Sequence, residues 1–231
     1  VPVYVVNFTQ RDAADLATSL VSRSELVRSA EQKKELVTIV ADFRFDSPYG
    51  PRIRELLLNG IGLHHAGLLP KYRLLVEQLA QAGILSCICG TDTLGVGVNV
   101  PIRTVLFTQL CKFNGEETVT LSARDFHQIA GRAGRRGFDS QGSVVAVPPQ
   151  HVVENSRVEA KIGAEKSQKN KLKLRKRLQG PPERNFRHWD EATFETLRRS
   201  RPEPLQSQFQ LTQGAVLSML QGAQEHGRHG G

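Results

Sequence analysis

The 231-residue chain is 39% hydrophobic and 23% charged, which suits one well-packed domain with an appendage and excludes wholesale disorder. No apolar run approaches the roughly 18 residues of a membrane span, and the apolar opening lacks a basic leader or cleavage site, so a cytoplasmic or otherwise intracellular protein with no membrane partner is expected. The net charge of +8 is uneven: residues 1–150 hold 16 Lys and Arg against 14 Asp and Glu, residues 151–231 hold 15 against 9, and this surplus points to a polyanionic partner.

Residues 3–8, Val-Tyr-Val-Val-Asn-Phe, form a β-branched and aromatic run that predicts a buried strand. Thr9, with Asp12 three residues on, resembles a capping box opening a helix to about Ser22. Helical patterns follow over 33–41 and 53–58, the second closed by Asn59-Gly60. Residues 61–64 predict a strand, and Pro70 opens a helix to Ala82 that Gly83 stops. Further strands are expected over 84–89, 104–108 and 143–147, and Ser122 with Asp125 repeats the capping pattern before another helix. Strands of near-continuous apolar character alternating with helices predict an α/β fold, a parallel sheet with helices on both faces. In such sheets the functional loops lie at the carboxyl ends of the strands. His64-His65, Gly90-Thr91 and the Gly131 region would all fall there.

The character changes after Pro148-Pro149. Residues 1–149 are expected to form the main domain, and 150–182 a basic linker in which 166–177 carries seven basic residues in twelve. That run suits either phosphate tracking by counterion release or a solvated connection, and it lacks the aromatic platforms of sequence-specific readers. A helix is expected over 189–197 and another over 211–220, followed by a Gly- and His-rich, disordered tail at 221–231. The C-terminal extension is therefore basic and mostly helical or irregular. Three cysteines argue against a disulfide scaffold; Cys87 and Cys89 would share one strand face as small buried hydrophobes, and no metal site is expected.

The most informative segment is Gln128-Ile-Ala-Gly-Arg-Ala-Gly-Arg-Arg-Gly137. Arg132 and Arg135 are three apart and share a face if the turn is helical. Small neighbours allow a ligand close to the backbone, and a guanidinium fork matches phosphate oxygens. The string resembles the sixth motif of superfamily-two helicases, in the form found in the Ski/Mtr branch of DExH-box RNA helicases. The resemblance implies a RecA-like, P-loop-NTPase-type domain in which Gln128, Arg132 and Arg135 face ATP across an interdomain cleft. Arg135 would be the arginine finger and Arg132 its assistant. Arg136 belongs to an Arg-Arg-Gly ending that favours RNA over DNA.

Gly90-Thr-Asp-Thr-Leu-Gly-Val-Gly-Val-Asn-Val-Pro101 resembles the fifth helicase motif. By that resemblance Gly97 and Asn99 lie toward the nucleotide, and the Thr91 hydroxyl donates to a backbone phosphate of the bound strand. Gly62-Leu-His-His-Ala-Gly-Leu-Leu-Pro70 is similar to a further segment of this branch that approaches nucleic acid, which makes His65 and Gly67 candidate RNA-backbone contacts. Adjacent histidines point to different sides and make a poor metal pair. The resemblance runs over residues 3–147, and a weaker one over 203–212 suggests that 183–220 begins a winged-helix-like region.

An enzyme of this class also needs a Gly-x-x-x-x-Gly-Lys-Thr loop and an Asp-Glu-x-His strand end. The 231 residues contain neither, and Asp190-Glu191-Ala192-Thr193 lacks the histidine. ATP with magnesium is therefore expected to be held mainly by an N-terminal RecA-like half, and this chain alone is expected to be inactive. The alternatives are a non-catalytic RNA-binding or partner-binding module, and a fragment of a DNA repair helicase.

Overall fold

A computed structural model describes residues 2–22, 30–92, 100, 102–134, 139–181 and 186–203. Five strands, β1 (Val3–Asn7), β2 (Ile61–His64), β3 (Cys87–Thr91), β4 (Thr104–Phe107) and β7 (Ser143–Ala146), form a sheet of order β2-β3-β1-β4-β7. Every pairing in it is parallel. Two three-residue strands, β5 (Cys111–Phe113) and β6 (Thr118–Thr120), pair antiparallel beside it.

Helices α1 (Gln10–Leu20), α2 (Ala30–Asp42) and α3 (Gly50–Leu58) connect β1 to β2, and α4 (Pro70–Gln81) connects β2 to β3. These two connections run in opposite directions along the sheet. Right-handed crossovers therefore put α1 and α3 on one face and α4 on the other. Strand alternation supports this: Gly62 and His64 both meet α4, through Val76 and Glu77. Helix α5 (Ala123–Ala130) lies on the α4 face, where Phe126 stacks on Phe107 at 5.1 Å between ring centroids. The result is a RecA-like parallel sheet flanked by helices.

The local rules that start and stop these elements are visible in the hydrogen bonds. Thr9 and Ser122 each accept a bond of 3.0 Å from the backbone N–H three residues on, and each hydroxyl donates to the aspartate there. Such caps satisfy donors that a helix's first turn leaves unpaired. Gly60 and Gly83 take φ of 72° and 71°, the left-handed geometry that ends α3 and α4. Strand β3 begins three residues later than the apolar run predicts, because Ile84 and Leu85 are buried in the turn before it rather than paired.

The C-terminal extension is helical, comprising α6 (Gln150–Ala164), α7 (Gln168–Arg175) and α8 (Glu191–Arg199). Helix α8 packs on α5: Phe194 meets Phe126 edge-on, and His127 Nε2 lies 2.8 Å from the Ser200 carbonyl. Trp189 is buried and its indole N–H donates to the Val147 carbonyl at 3.0 Å, fixing the extension to the end of β7. Asp190 is the N-cap of α8, accepting from the Thr193 N–H at 2.8 Å. Among the described residues no helix is long and apolar enough to cross a membrane. The expected helix over 211–220, the tail, and residues 183–185 and 204–220 of the winged-helix-like region lie outside the described residues.

Candidate nucleotide and nucleic-acid interface

Parallel strands bring all their carboxyl ends to one edge, and His65, Gly67 and Thr91 lie there. The Gly131 region, expected at the same edge, instead leads into Ala133, which bridges Ile102 just ahead of β4, at the amino end of that strand. His65 and Gly67 directly follow β2, and Thr91 is the last residue of β3. Gln128 lies on the exposed side of α5, and Arg132 is half-buried in the turn after it. Gly97, Asn99 and Arg135 lie outside the described residues.

The end of β3 is held from two sides. The Tyr4 hydroxyl donates to the Thr91 carbonyl, and the Asn7 amide donates to the Gly90 carbonyl at 3.5 Å. Gly90 has no room for a side chain: a Cβ there would stand 2.7 Å from the His64 carbonyl oxygen and 3.0 Å from the Tyr4 ring. Thr91 is itself buried, at 6% exposure. Burial pushes the Tyr4 phenol well above its ordinary range, with the Asp92 carboxylate adding to that and the Arg132 guanidinium opposing it. Asp92 and Arg132 thus share one electrostatic neighbourhood at Tyr4. Thr91 bonds Tyr4 directly, and Arg132 acts on the same phenol through its charge.

The turn that carries Arg132 is fixed by backbone. Arg132 and Ala133 donate to the Ile129 and Ala130 carbonyls at 3.1 and 2.9 Å, so α5 tightens as it ends. Ala133 then bridges Ile102, and Gly134, with φ of 85°, donates to the Ile102 carbonyl at 2.9 Å. Gly142 closes over this turn so tightly that a Cβ would lie 2.4 Å from the Ala133 carbonyl. At its other end α5 is tied to the β5–β6 hairpin by Lys112, 2.8 Å from Asp125. Burial would raise the Asp125 carboxyl, but Lys112 and Ser122 outweigh it and hold the group below its ordinary range.

A second group lies at the end of β2. His64 is buried with Nε2 2.9 Å from Glu77, and His65 is buried beside it. Burial lowers both imidazoles, Glu77 drawing His64 part of the way back while His64 and Arg73 lower His65 further, so both rings are neutral near pH 7. The Nδ1 atoms of both histidines and the Nε of Arg73 are buried without a hydrogen-bond partner among the described residues. Such atoms are costly unless another group satisfies them. His65 and Gly67 line a cleft of about 460 Å³ together with Gln10, Arg11 and Tyr49. A Cβ on Gly67 would meet the Gln10 side-chain oxygen at 2.2 Å, so Gln10 lies directly over that glycine. Sequence reasoning missed Gln10 and Arg11; their position in the first turn of a helix that follows a strand was the available signal.

Residues 21–137 match the family described as "Helicase conserved C-terminal domain". This chain belongs to that family.

The helicase C-terminal domain is followed by a second match, residues 148–229, to a "Domain of unknown function (DUF3516)". Relatives include "Probable helicase HelY" of Mycobacterium tuberculosis, 37% identical over 59% of this chain and 16% of that protein. "ATP-dependent RNA helicase mtr4" of Schizosaccharomyces pombe is 36% identical over 62% of this chain and 13% of its own length. "Exosome RNA helicase MTR4" of Homo sapiens is 34% identical over 62% and 14%. The chain thus spans about one seventh of the relatives it matches.

Proposed function

We propose that this helicase C-terminal domain is the second RecA-like half of an ATP-dependent RNA helicase of the Ski/Mtr branch. In this reading Gln128, Arg132, Arg135, Gly97 and Asn99 face ATP, while Thr91, His65 and Gly67 face the backbone of one RNA strand. The observation that supports it best is that the Thr91 carbonyl accepts from the Tyr4 hydroxyl while the Arg132 guanidinium acts electrostatically on the same phenol. A strand-contacting residue and a phosphate-contacting residue would then both act on one buried side chain. The names of the fission-yeast and human relatives, both RNA helicases, favour RNA as the polymer.

Bound ATP and magnesium supply the phosphoryl chemistry and are held mainly by the first half. The residues of this chain orient and stabilise. The half-buried Arg132 sits on a turn fixed at Ala133 and Gly134, which suits a guanidinium that must meet phosphate oxygens without rearranging. Arg135 acts as the finger on charge developing at the γ-phosphoryl oxygens. Thr91 donates its hydroxyl to a strand phosphate, a contact that positions without reading sequence. His65 lines the cleft, with Arg11 exposed at its rim.

Two arginine contacts contribute about 1.5–3 kcal/mol each as charge-assisted bonds when desolvated, and far less on an open face. Millimolar binding already requires about 4 kcal/mol. The 231 residues alone are therefore proposed to bind ATP very weakly and not to hydrolyse it. The test joins the chain to a first RecA-like half that carries the phosphate loop and the Asp-Glu-x-His segment. RNA-stimulated ATP hydrolysis by the joined protein, absent from either part, supports the reading. Steady turnover by the isolated chain, or none from the joined protein, overturns it.

A further inference from the structure

Helices α6 and α7 form a hairpin that the helicase reading leaves without a role. Residues 150–177 carry nine Lys and Arg against three Glu. Those acids are largely occupied: Gln150 donates to Glu154 at 2.8 Å, and Glu165 accepts from the backbone N–H groups of Lys166 and Ser167 at 2.9 Å. None of the seven basic residues in 166–177 forms a salt bridge with a described carboxylate. Lys169, Lys173 and Lys176 recur at helical spacing, are all exposed, and make a stripe that Arg177 widens. Like charges at this spacing repel one another along the helix. An anion beside the stripe relieves this repulsion.

The hairpin is also held in place. The Asn155 amide donates to the Gln179 carbonyl and accepts from the Gln179 N–H, both at 2.8 Å, closing the far end of α7 back onto α6. The base of α6 is anchored by buried His151 against Phe186 and by Trp189 on the Val147 carbonyl. A basic surface presented rigidly loses less freedom on binding than a free tail does.

We infer that the α6–α7 hairpin is a second nucleic-acid contact, which binds the sugar-phosphate backbone of the strand outside the RecA-like core. The choice of polymer rests on the proposed helicase function; the contact itself rests on the charge and the geometry. The surface has no aromatic side chain on α7 and no broad apolar face, which matches phosphate tracking rather than base reading or membrane insertion.

The test uses the full 231-residue chain, a labelled oligouridine and an oligothymidine, and fluorescence anisotropy over a salt series. One variant carries K169Q, K173Q, K176Q and R177Q. A control, K33Q, K34Q, R198Q and R199Q, removes the same charge from α2 and α8. For single strands each lost phosphate contact reduces the log–log salt slope by about 0.7, so the hairpin variant is expected to lose about 2.8 in slope and about 50-fold of the affinity gained between 200 and 50 mM salt. The control should keep both, and RNA and DNA should respond alike. Equal losses in control and variant would assign the binding to net charge and overturn the proposal. So would an RNA affinity indifferent to the stripe, which would leave an acidic protein surface as the ligand. Neither ATP nor the first helicase half enters this assay, so its failure and that of the finger reading are separable.

Discussion

The hydroxyl of Tyr4, the second residue of β1, donates to the backbone carbonyl of Thr91, the last residue of β3. The two are 87 positions apart in sequence, and the phenol is buried at 2% exposure. This bond fixes the level at which β3 ends, and with it the residue proposed to meet the strand.

Tyr4→Phe keeps the ring and removes the donor. It leaves a buried carbonyl short of its partner, so a loss of about 1–3 kcal/mol in unfolding free energy is expected. Urea denaturation measures this directly. An unchanged midpoint would mean that water takes the place of the phenol.

Glycine substitutions should separate close approach from mere helix preference. Gly90→Ala drives a Cβ into the His64 carbonyl and the Tyr4 ring, neither of which can swing away. Overpacking of this kind costs about 1–3 kcal/mol. Gly163→Ala in α6 meets nothing within 4 Å. There alanine is the better helix former, and a gain of up to about 1 kcal/mol is expected. Paired denaturation curves should show opposite signs.

Much of this architecture is legible in the residues. The caps at Thr9 and Ser122, the proline and glycine that bound α4, and the apolar runs of β1 and β2 each follow a local rule. Other parts escape such rules. Strands β5 and β6 are three residues each and only partly buried, too short to show alternation. Helices α6 and α7 bury almost nothing besides His151, so their charge hides any periodic stripe. Of the site, the residues proposed for phosphate and strand were nameable from their motifs. Tyr4, Gln10 and Arg11 were not, because their importance comes from contacts distant in sequence.

The buried histidines set a pH dependence. His64 and His65 both have folded values below the ordinary 6.5, chiefly through burial. The unfolded chain therefore takes up protons first as pH falls. Their contribution is fully present above about 6.5 and is lost as pH drops toward the folded values. The urea midpoint should decline between about pH 7.5 and 5.5, and His65→Gln should flatten that decline. A midpoint that rises on acidification would contradict the assigned environments.

Docking of the extension has its own reporter, since Trp189 is the single tryptophan of the chain. Leu197→Ala empties a buried position of α8, with an expected cost of about 2–5 kcal/mol. If α8 is a cooperative part of the core, tryptophan fluorescence and circular dichroism should report one shared transition at the lower midpoint. An earlier fluorescence transition would make the extension a separate unit.

Arginines of this chain are proposed to complete an ATP site built by another RecA-like half. Single-turnover hydrolysis by the joined protein, with RNA and ATP saturating, tests it most directly. Arg135→Lys is expected to slow the chemical step by about 10³-fold or more with little change in ATP affinity, as for other arginine fingers. Hydrolysis within threefold of the unaltered protein, in both Arg135→Lys and Arg132→Lys, would contradict the account.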